Sequence, residues 1–301
     1  RASQSGGKSY ALKQLHKNQD EARQRFHVEI QTLKNISHIN GIVPLIDSYT
    51  PESGIEDFPW LVMPICESFD QYRKRTKFPE MVRNFIKLAD TLCSLHESGY
   101  SHRDIKPANI LFLEGRLCLS DFGLVAPPEK PGITPEKRDV GAKYTMAPEM
   151  RRYAVKADGK PADVYSFAKS LWIAITGIEL GFDGQFVPDA SLTLKHKIEG
   201  WYATPIEQLL SECTLHEPSL RPSMLAVRER LIEWVSVSEN FKRRNELEWI
   251  ELCGKLFPMG IPSHASWFGV DEICSVLNAT AAAPGLNHMF YPNGGGMTLL
   301  G

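Results

Sequence analysis

Three short motifs carry most of the polar side chains that could take part in a reaction. They are His102-Arg103-Asp104-Ile105-Lys106-Pro107-Ala108-Asn109, then Asp121-Phe122-Gly123, then Ala147-Pro148-Glu149. The carboxylate and amide oxygens in these motifs are hard ligands of the kind that Mg²⁺ demands. A single Asp-Phe-Gly tripeptide arises easily by chance, so the information lies in the order and the spacing of the whole series.

The series resembles the signature set of the eukaryotic-type protein kinase family, in the correct order and spacing across residues 13–221. The resemblance implies that Asp104 accepts the proton of the substrate hydroxyl and that Lys106 steadies the γ-phosphate of ATP. Lysine at this second position is typical of Ser/Thr kinases. By the same resemblance, Asn109 and Asp121 hold Mg²⁺, with Asp121 chelating the ion across the β- and γ-phosphates.

The resemblance also implies a nucleotide site in the first part of the chain. Lys13 closes Tyr10-Ala11-Leu12-Lys13 and is similar to the strand lysine that holds the α- and β-phosphates. Glu29 stands where a helix should present its carboxylate partner. The alternative is a surface ion pair between the two, worth ~0–1 kcal/mol. The downstream motifs favour the functional interpretation.

The adenine site is expected at Met63-Pro64-Ile65-Cys66, with Met63 as gatekeeper and the next three residues as hinge. In the family, the first hinge residue offers only its carbonyl to adenine. Pro64 is compatible with that pattern because proline lacks an N–H but keeps its carbonyl. Asp70 falls where the family often has an acidic ribose contact, although a solvated aspartate at a helix start is the other interpretation. The resemblance also assigns Cys66 and Leu111 to the nucleotide site.

Further residues match the frame that supports a kinase active site. Glu149 and Arg221 match the buried ion pair beneath the activation segment, and Asp163 matches the helix aspartate that braces the catalytic loop. The regulatory spine of stacked apolar side chains would contain His102, Phe122 and Leu33, with Leu45 as the candidate fourth member.

The chain departs from the family pattern in two places. By spacing, the Gly-rich phosphate loop should lie just upstream of Arg1. Gly7-Lys8-Ser9 resembles the end of a Walker A loop, but that motif needs a glycine where the chain has Ala2, so a hairpin turn is the better interpretation. Ala142 stands where the family commonly places a threonine that bridges the catalytic aspartate and lysine. Its loss is expected to lower activity or to alter substrate docking.

Activation can be read in two ways. In the family, the arginine that precedes the catalytic aspartate, here Arg103, is commonly neutralised by a phosphate on the activation segment. Thr134 lies in a stretch rich in proline and glycine and is the best candidate for that phosphate. Alternatively, Glu136 or Asp139 already supplies the negative charge, and the enzyme is constitutively active.

The elements that must position these residues change from extended to helical along the chain. Apolar runs and turn residues predict strands at residues 10–13, 42–46, 60–65, 110–113 and 117–119. Apolar residues at helix spacing predict helices at about 18–35, 80–98, 161–176, 204–213 and 222–235. We therefore expect an α+β, bilobal protein-kinase fold, with a small β-rich N-lobe truncated at its start and a larger helical C-lobe.

The expected organisation is an N-lobe with hinge over residues 1–66, a C-lobe over 67–235 and a C-terminal extension over 236–301. The extension is predicted to be mostly helical, with helices near 241–256 and 270–277 and a flexible end at Gly294-Gly295-Gly296. Its aromatic residues are too many for a bare linker. Packing on the C-lobe and docking of a regulatory partner are the two interpretations of its role.

Composition agrees with an ordinary globular protein and restricts the partners. The 301 residues are 43% hydrophobic and 23% charged, with a formal net charge of −2 and no basic stripe that would indicate nucleic acid. No apolar run approaches the ~20 residues that span a bilayer. The six cysteines show no metal-ligand spacing, which favours reduced thiols and a cytoplasmic location.

The expected function is that of an ATP- and Mg²⁺-dependent protein kinase that acts on Ser/Thr hydroxyls of protein substrates. One alternative is a pseudokinase scaffold, suggested by Ala142 and the Gly-rich loop that is not found. Another is a small-molecule kinase, which Ala147-Pro148-Glu149 and Arg221 argue against because together they build a shelf for a polypeptide.

Overall fold

The first part of the chain is a small antiparallel sheet with one helix. The computed structural model describes residues 2–3, 9–16, 20–51, 57–125, 144–152, 157–189, 191–198, 200–263 and 265–281. Four strands pair in the order β1-β2-β4-β3, namely β1 (Ala2–Ser3), β2 (Ser9–Gln14), β3 (Asp47–Tyr49) and β4 (Trp60–Pro64). Helix α1 (Asp20–Asn35) buries Phe26, Ile30 and Leu33 in the same core as Leu61 of β4.

A second, three-stranded antiparallel sheet follows the first. Its strands are β5 (Glu67–Ser68), β6 (Ile110–Leu113) and β7 (Arg116–Leu119), in the order β5-β6-β7. The two-residue loop Glu114-Gly115 joins β6 to β7, and both residues have positive φ, 47° and 82°. Two such residues make the type I′ turn that matches the twist of a hairpin, and glycine adopts it without steric cost. The loops at the other ends of β6 and β7 carry the chemical motifs.

Helices build the larger part of the protein. They are α2 (Phe69–Arg75), α3 (Phe78–Glu97), α4 (Pro148–Arg152), α5 (Gly159–Thr176), α6 (Ala203–Cys213) and α7 (Met224–Glu239). Most of α5 is buried on all sides, as expected for a helix with few charged residues. Asp158 caps its start, and Gly177 ends it with φ of 76°. The α+β, bilobal prediction is confirmed.

The C-terminal extension contributes two more helices. Helix α8 (Phe241–Leu256) packs on α7, and α9 (Val270–Ala281) packs on α8. Leu252 and Cys253 are buried, and the Tyr202 hydroxyl donates to Glu251 at 2.6 Å. Both helices were predicted from the sequence; the predicted flexible end at residues 294–296 lies outside the described residues. No helix in the described part of the chain is long and apolar enough to cross a membrane.

One predicted strand is wrong. Residues 42–46 do not form a strand; Ile42 makes a single bridge to Leu119 of β7, and the next strand, β3, starts at Asp47 and pairs with β4. Pro44 interrupts the run because it has no N–H to donate to a neighbouring strand. Ile42 and Val43 are apolar because they are buried, not because they belong to a strand. Helix α2 and strand β5, both short, were not predicted.

Candidate active site

The loop between α3 and β6 gathers three of the predicted site residues around one carboxylate. Lys106 Nζ lies 3.0 Å from Asp104 Oδ2. Asn109 Nδ2 donates to the Asp104 carbonyl at 2.9 Å and to its Oδ2 at 3.0 Å. The amide nitrogen of Asn109 is therefore used within the loop, and no described residue donates to its Oδ1. That oxygen is left for a ligand, which is the orientation a metal-binding asparagine requires.

The loop holds an unfavourable backbone conformation that a buried aspartate stabilises. Arg103 has φ of 66°, in the left-handed region that costs a side-chain-bearing residue about 1–2 kcal/mol. Asp163 of α5 is fully buried and accepts from the backbone N–H groups of His102 at 2.8 Å and Arg103 at 2.7 Å. Asp163 thus makes the contacts expected of a brace for the catalytic loop.

His96 is a supporting residue that sequence reasoning missed. Its Nε2 lies 2.9 Å from Asp163 Oδ2, and the residue is largely buried near the end of α3. A histidine on the apolar face of a helix was the available signal, but the partner is 67 residues away in the chain.

The His102 ring joins the catalytic loop to the Asp-Phe-Gly segment. Its Nε2 lies 3.1 Å from the Ser120 carbonyl, and its Nδ1 accepts from the Asp104 N–H at 3.3 Å. These partners fix the tautomer with the proton on Nε2. The ring also packs edge-on against Phe122, with centroids 4.8 Å apart. Phe122 and Leu33 are buried in the main core, and Leu45 packs against that core; the stacked spine that would join Leu33 and Leu45 to Phe122 stays a prediction.

Lys13 connects the first sheet, α1 and the Asp-Phe-Gly segment. Its Nζ lies 2.7 and 2.9 Å from the two Glu29 carboxylate oxygens and 3.0 Å from Asp121 Oδ1. The side chains of Lys13 and Asp121 are 38% and 47% exposed, whereas that of Glu29 is 3% exposed. The buried glutamate and the third partner do not fit the alternative of a surface ion pair.

Charge states in this cluster follow from its geometry. Burial alone would lower the pKa of Lys13, but the Glu29 and Asp121 carboxylates outweigh it and raise that pKa. Burial alone would raise the pKa of Asp121, but Lys13 outweighs it and lowers that pKa. At neutral pH Lys13 is therefore a cation and Asp121 an anion. Asp121 also has a positive φ of 63°, a backbone conformation often found at functional sites.

The predicted hinge residues join the two sheets. Met63 and Pro64 end β4, where they pair with Ala11 and Tyr10 of β2. Met63 packs against the main core, and its role as gatekeeper stays a prediction. The Cys66 thiol lies 3.6 Å from the Pro64 carbonyl, and burial raises its pKa.

Asp70 and Leu111 lie together, on the helical side of the hinge. Asp70 is in the first turn of α2, where it binds Lys74 at 2.6 Å and Arg73 at 3.1 Å. These hydrogen bonds, mainly the one from Lys74, lower the pKa of Asp70. Asp70 and Leu111 both line one open cavity of about 420 Å³. The ribose interpretation and the solvated helix-start interpretation of Asp70 both remain predictions.

A buried ion pair between Arg221 and Glu149 supports helix α4. Arg221 donates to the two Glu149 oxygens at 2.6 and 2.9 Å, and its side chain is fully buried. It also donates to three backbone carbonyls and lies over the Tyr165 ring at 4.9 Å. A guanidinium that satisfies this many acceptors holds α4 against α5 and the loop before α7.

Arg103 retains unused hydrogen-bonding capacity. Its Nη2 donates to the Ala157 carbonyl at 2.6 Å, but its buried Nε and Nη1 have no hydrogen-bond partner among the described residues. The candidates for a negative partner, Thr134, Glu136 and Asp139, lie outside the described residues, as does Ala142. Both activation hypotheses therefore remain predictions.

The donors available for a metal ion are few. Among the described residues, no group of three or more His, Cys, Asp or Glu side chains could hold a metal ion. Asn109 and Asp121 provide two hard oxygen donors, and Mg²⁺ is usually bound by one or two carboxylates together with water and substrate phosphates. The residues present fit a magnesium ion that arrives with a nucleotide.

Comparison with known proteins agrees with this geometry. The chain is similar to CBL-interacting protein kinase 15 of Oryza sativa subsp. japonica, with 29% identity over 67% of this chain and 47% of the relative. It is 34% identical to the serine/threonine-protein kinase ppk34 of Schizosaccharomyces pombe over 46% of this chain and 40% of the relative. It is 27% identical to the serine/threonine-protein kinase KIC1 of Saccharomyces cerevisiae over 72% of this chain and 20% of the relative.

The chain covers 47%, 40% and 20% of the lengths of these three relatives, so it spans about half of each relative or less. The family model described as the protein kinase domain matches residues 2–231, which is most of the chain and includes every predicted site residue. The chain therefore belongs to the protein kinase domain family.

Proposed function

We propose that this protein transfers the γ-phosphate of MgATP to serine and threonine hydroxyls of protein substrates. The observation that carries the proposal is that Lys13 Nζ lies 2.7 Å from Glu29 Oε1 and 3.0 Å from Asp121 Oδ1. Lys13 and Asp121 are 108 residues apart in the sequence. A purely structural ion pair needs only two partners. A third, half-exposed carboxylate beside the lysine is instead suited to binding a ligand that carries both phosphate and metal.

Each residue has a role that its surroundings support. Lys13 is a cation at neutral pH and offers its charge to nucleotide phosphates, while Glu29 orients its side chain. Asp121 and the Oδ1 of Asn109 would hold Mg²⁺, which supplies positive charge that offsets the charge of the transferring phosphoryl group. Asp104 is held by the Asn109 amide and faces Lys106.

The proton and the phosphoryl group move in opposite directions in the proposed reaction. A substrate hydroxyl beside Asp104 loses its proton to the carboxylate as its oxygen bonds to the γ-phosphorus. The bond from that phosphorus to the bridging oxygen of ATP breaks, and ADP leaves. Lys106, 3.0 Å from Asp104, is close enough to hold the transferred group. Positioned proton acceptors of this kind contribute about 10²–10⁴-fold to rate.

A pseudokinase scaffold is the second candidate function. The observation that favours it is Ala142, which lacks the hydroxyl expected to bridge Asp104 and Lys106. Against it, those two side chains contact each other directly at 3.0 Å. A small-molecule kinase is less well supported, because Arg221 and Glu149 anchor the segment expected to dock a polypeptide.

The test is transfer of labelled phosphate from ATP to a generic protein substrate in the presence of Mg²⁺. Asp121→Asn should abolish transfer without unfolding the protein, because the substitution keeps the side chain's size and removes its charge. Asp271→Asn, in exposed α9, is the matched control and should keep the full rate. Full activity of Asp121→Asn would overturn the assignment, and an inactive but nucleotide-binding wild type would favour the scaffold.

We also propose a cytoplasmic location. All six cysteines are free thiols in the structure, as a reducing compartment would allow. Fluorescence microscopy of the tagged full-length protein tests this, and accumulation in a secretory compartment would contradict it.

A further inference from the structure

One buried cation has no role in the mechanism proposed above. Lys169 lies in α5 and is 1% exposed. Its Nζ donates to the Phe182 carbonyl at 2.7 Å and to the Gly184 carbonyl at 2.6 Å. The ammonium also lies 3.4 Å from the centroid of the Phe182 ring, within the range of a cation–π contact. Lys169 therefore binds the loop that follows α5.

A buried lysine is costly, so its presence in α5 needs an explanation. Burial lowers the pKa of Lys169 to about 7; the Asp183 carboxylate favours the charged form but does not outweigh burial, and Arg151 opposes it. A methionine of similar length would fill the same space without the cost of desolvating a charge. What the lysine adds is a set of N–H donors that reach the backbone of the loop.

The loop that Lys169 binds needs those donors. Residues 177–189 contain no helix or strand, so their carbonyls are not paired in regular structure. The Gly184 carbonyl accepts a second hydrogen bond, from the Tyr165 hydroxyl at 3.0 Å. Tyr165 and Lys169 are one helical turn apart on α5. Two side chains of one helix face therefore fix the same carbonyl.

The same loop lies against the residues that precede Ala147-Pro148-Glu149. A Cβ at Gly181 would lie 3.7 Å from the Tyr144 Cβ, so the loop backbone passes close to Tyr144. Gly181 has φ of 69°, a conformation that glycine adopts without steric cost. Tyr165 belongs to one buried cluster with Ala147 and Met150 of the following segment. Lys169 thus reaches residues 144–150 through the loop and through its shared partner Tyr165.

We propose that Lys169 is a positioning residue for the protein substrate, because it holds the loop that supports residues 144–149, the segment expected to dock a polypeptide. Lys169 itself touches neither the nucleotide nor the reacting hydroxyl. The contacts of Lys13, Asp121 and the hinge do not include this loop, so Lys169 sets the affinity for protein but not for ATP. This inference rests on the proposed kinase function and adds a residue to it.

The first experiment measures phosphorylation of casein by the full chain, with ATP and casein varied separately. In Lys169→Met we expect the KM for casein to rise about fivefold or more, as is typical of coupling between distant sites. The KM for ATP should stay the same. Leu231→Ala, fully buried in α7, should lower stability but leave both KM values unchanged, which separates positioning from stability. Lys160→Met, exposed on α5, should change neither.

The second experiment measures amide hydrogen exchange by mass spectrometry and needs no substrate. Lys169→Met should speed exchange in peptides that cover residues 178–186 and 144–150, and should leave α7 unchanged. If Lys169→Met does not fold, Tyr165→Phe replaces it in both experiments. That variant removes only the second donor to the Gly184 carbonyl, and we expect the same changes at smaller amplitude.

Three results would overturn the inference while leaving the proposed kinase function intact. They are an unchanged KM for casein in Lys169→Met, an equal rise of that KM in Leu231→Ala, and faster exchange that is confined to residues 178–186. The last would show that Lys169 holds only its own loop. If the wild type phosphorylates no protein, the proposed function fails instead. The exchange experiment then decides by itself whether Lys169 holds residues 144–150.

Discussion

Two regions of this protein use ion pairs in opposite ways. Between the first sheet and the Asp-Phe-Gly segment, Lys13 binds Glu29 and Asp121, and its side chain remains 38% exposed. Beside helix α4, the side chain of Arg221 is fully buried and donates to the Glu149 carboxylate and to three backbone carbonyls. The first arrangement leaves charge available to a ligand, and the second uses all of it for structure.

The difference follows from the cost of desolvation. A buried ion must recover several kcal/mol of lost hydration from its partners, so a buried pair requires excellent geometry and many hydrogen bonds. A half-exposed ion keeps much of its water and can exchange that water for phosphate. Substitutions in the first region should therefore reduce activity more than stability, and substitutions in the second should reduce stability first.

The largest effect is expected from Lys13→Met. Loss of one charge that stabilises a transition state typically costs about 10²–10³-fold, and we expect kcat/KM to fall by that factor. Stability should change by only about 1 kcal/mol, because burial already raises the pKa of Glu29 and the carboxyl can take up a proton when its partner is removed. Phosphate-transfer assays and urea unfolding measure the two quantities. Lys34→Met, exposed on α1, is the control and should leave both quantities unchanged. A Lys13→Met variant that is stable and fully active would contradict the claim that the ion pairs of the first region serve activity rather than stability.

The second prediction concerns Arg221→Met, which leaves Glu149 buried without its partner. Removing one member of a buried pair typically costs about 3–5 kcal/mol, and we expect the free energy of unfolding in urea to fall by that amount. The matched control is Arg83→Met, which breaks an ion pair with Glu239 whose side chains are 51% and 45% exposed. That control should change stability by about 0–1 kcal/mol. If Arg221→Met and Arg83→Met lowered the free energy of unfolding equally, burial would not explain how much an ion pair contributes to stability.

The third prediction concerns a buried cation whose hydrogen-bond acceptors are backbone carbonyls. Lys169 Nζ donates to the Phe182 carbonyl at 2.7 Å and to the Gly184 carbonyl at 2.6 Å, and the residue is 1% exposed. Burial lowers the pKa of Lys169 to about 7. The unfolded chain therefore binds more protons than the folded one between about pH 7 and the ordinary lysine value. The free energy of unfolding should rise with pH across this interval, by at most about 1.4 kcal/mol per pH unit.

Lys169→Met should remove this rise, and the difference between the two proteins isolates the contribution of Lys169. Urea unfolding between pH 7 and 9 measures it. Lys160→Met, exposed on the same helix, should keep the pH dependence of the wild type. A wild-type stability that is flat or falls over this interval would mean that the folded protein keeps Lys169 charged.

The smallest effect is expected where the C-terminal extension meets the large lobe. Tyr202→Phe removes the hydroxyl that donates to Glu251 at 2.6 Å, and Glu251 keeps its ion pair with Lys255. A net hydrogen bond contributes about 0.5–1.5 kcal/mol, so Tm should fall by a few degrees. Tyr49→Phe, whose hydroxyl lies 3.3 Å from an Asp57 oxygen at an exposed site, is the control and should show less. An unchanged Tm in Tyr202→Phe would weaken the packing interpretation of the extension and favour docking.

Much of the site could be predicted from the sequence because its parts are local. Asp104, Lys106 and Asn109 lie within six residues of one another, so their spacing alone brings them together in one loop. The type I′ turn at Glu114-Gly115 and the amphipathic helix α3 also follow from nearby residues. The strand predicted at residues 42–46 failed because burial and strand formation produce the same apolar pattern.

Residue types and their spacing in the sequence determined the family, the order of the elements and the candidate chemical groups. Only the tertiary structure decided which of these groups meet. The contact of Lys13 with Asp121 spans 108 residues and that of His96 with Asp163 spans 67. It also decided that Lys169 is buried and that Ile173 faces a cavity beside the catalytic loop. The physical reason is that burial, pKa and contact depend on the packing of distant segments, and periodicity within one segment carries no information about its partner.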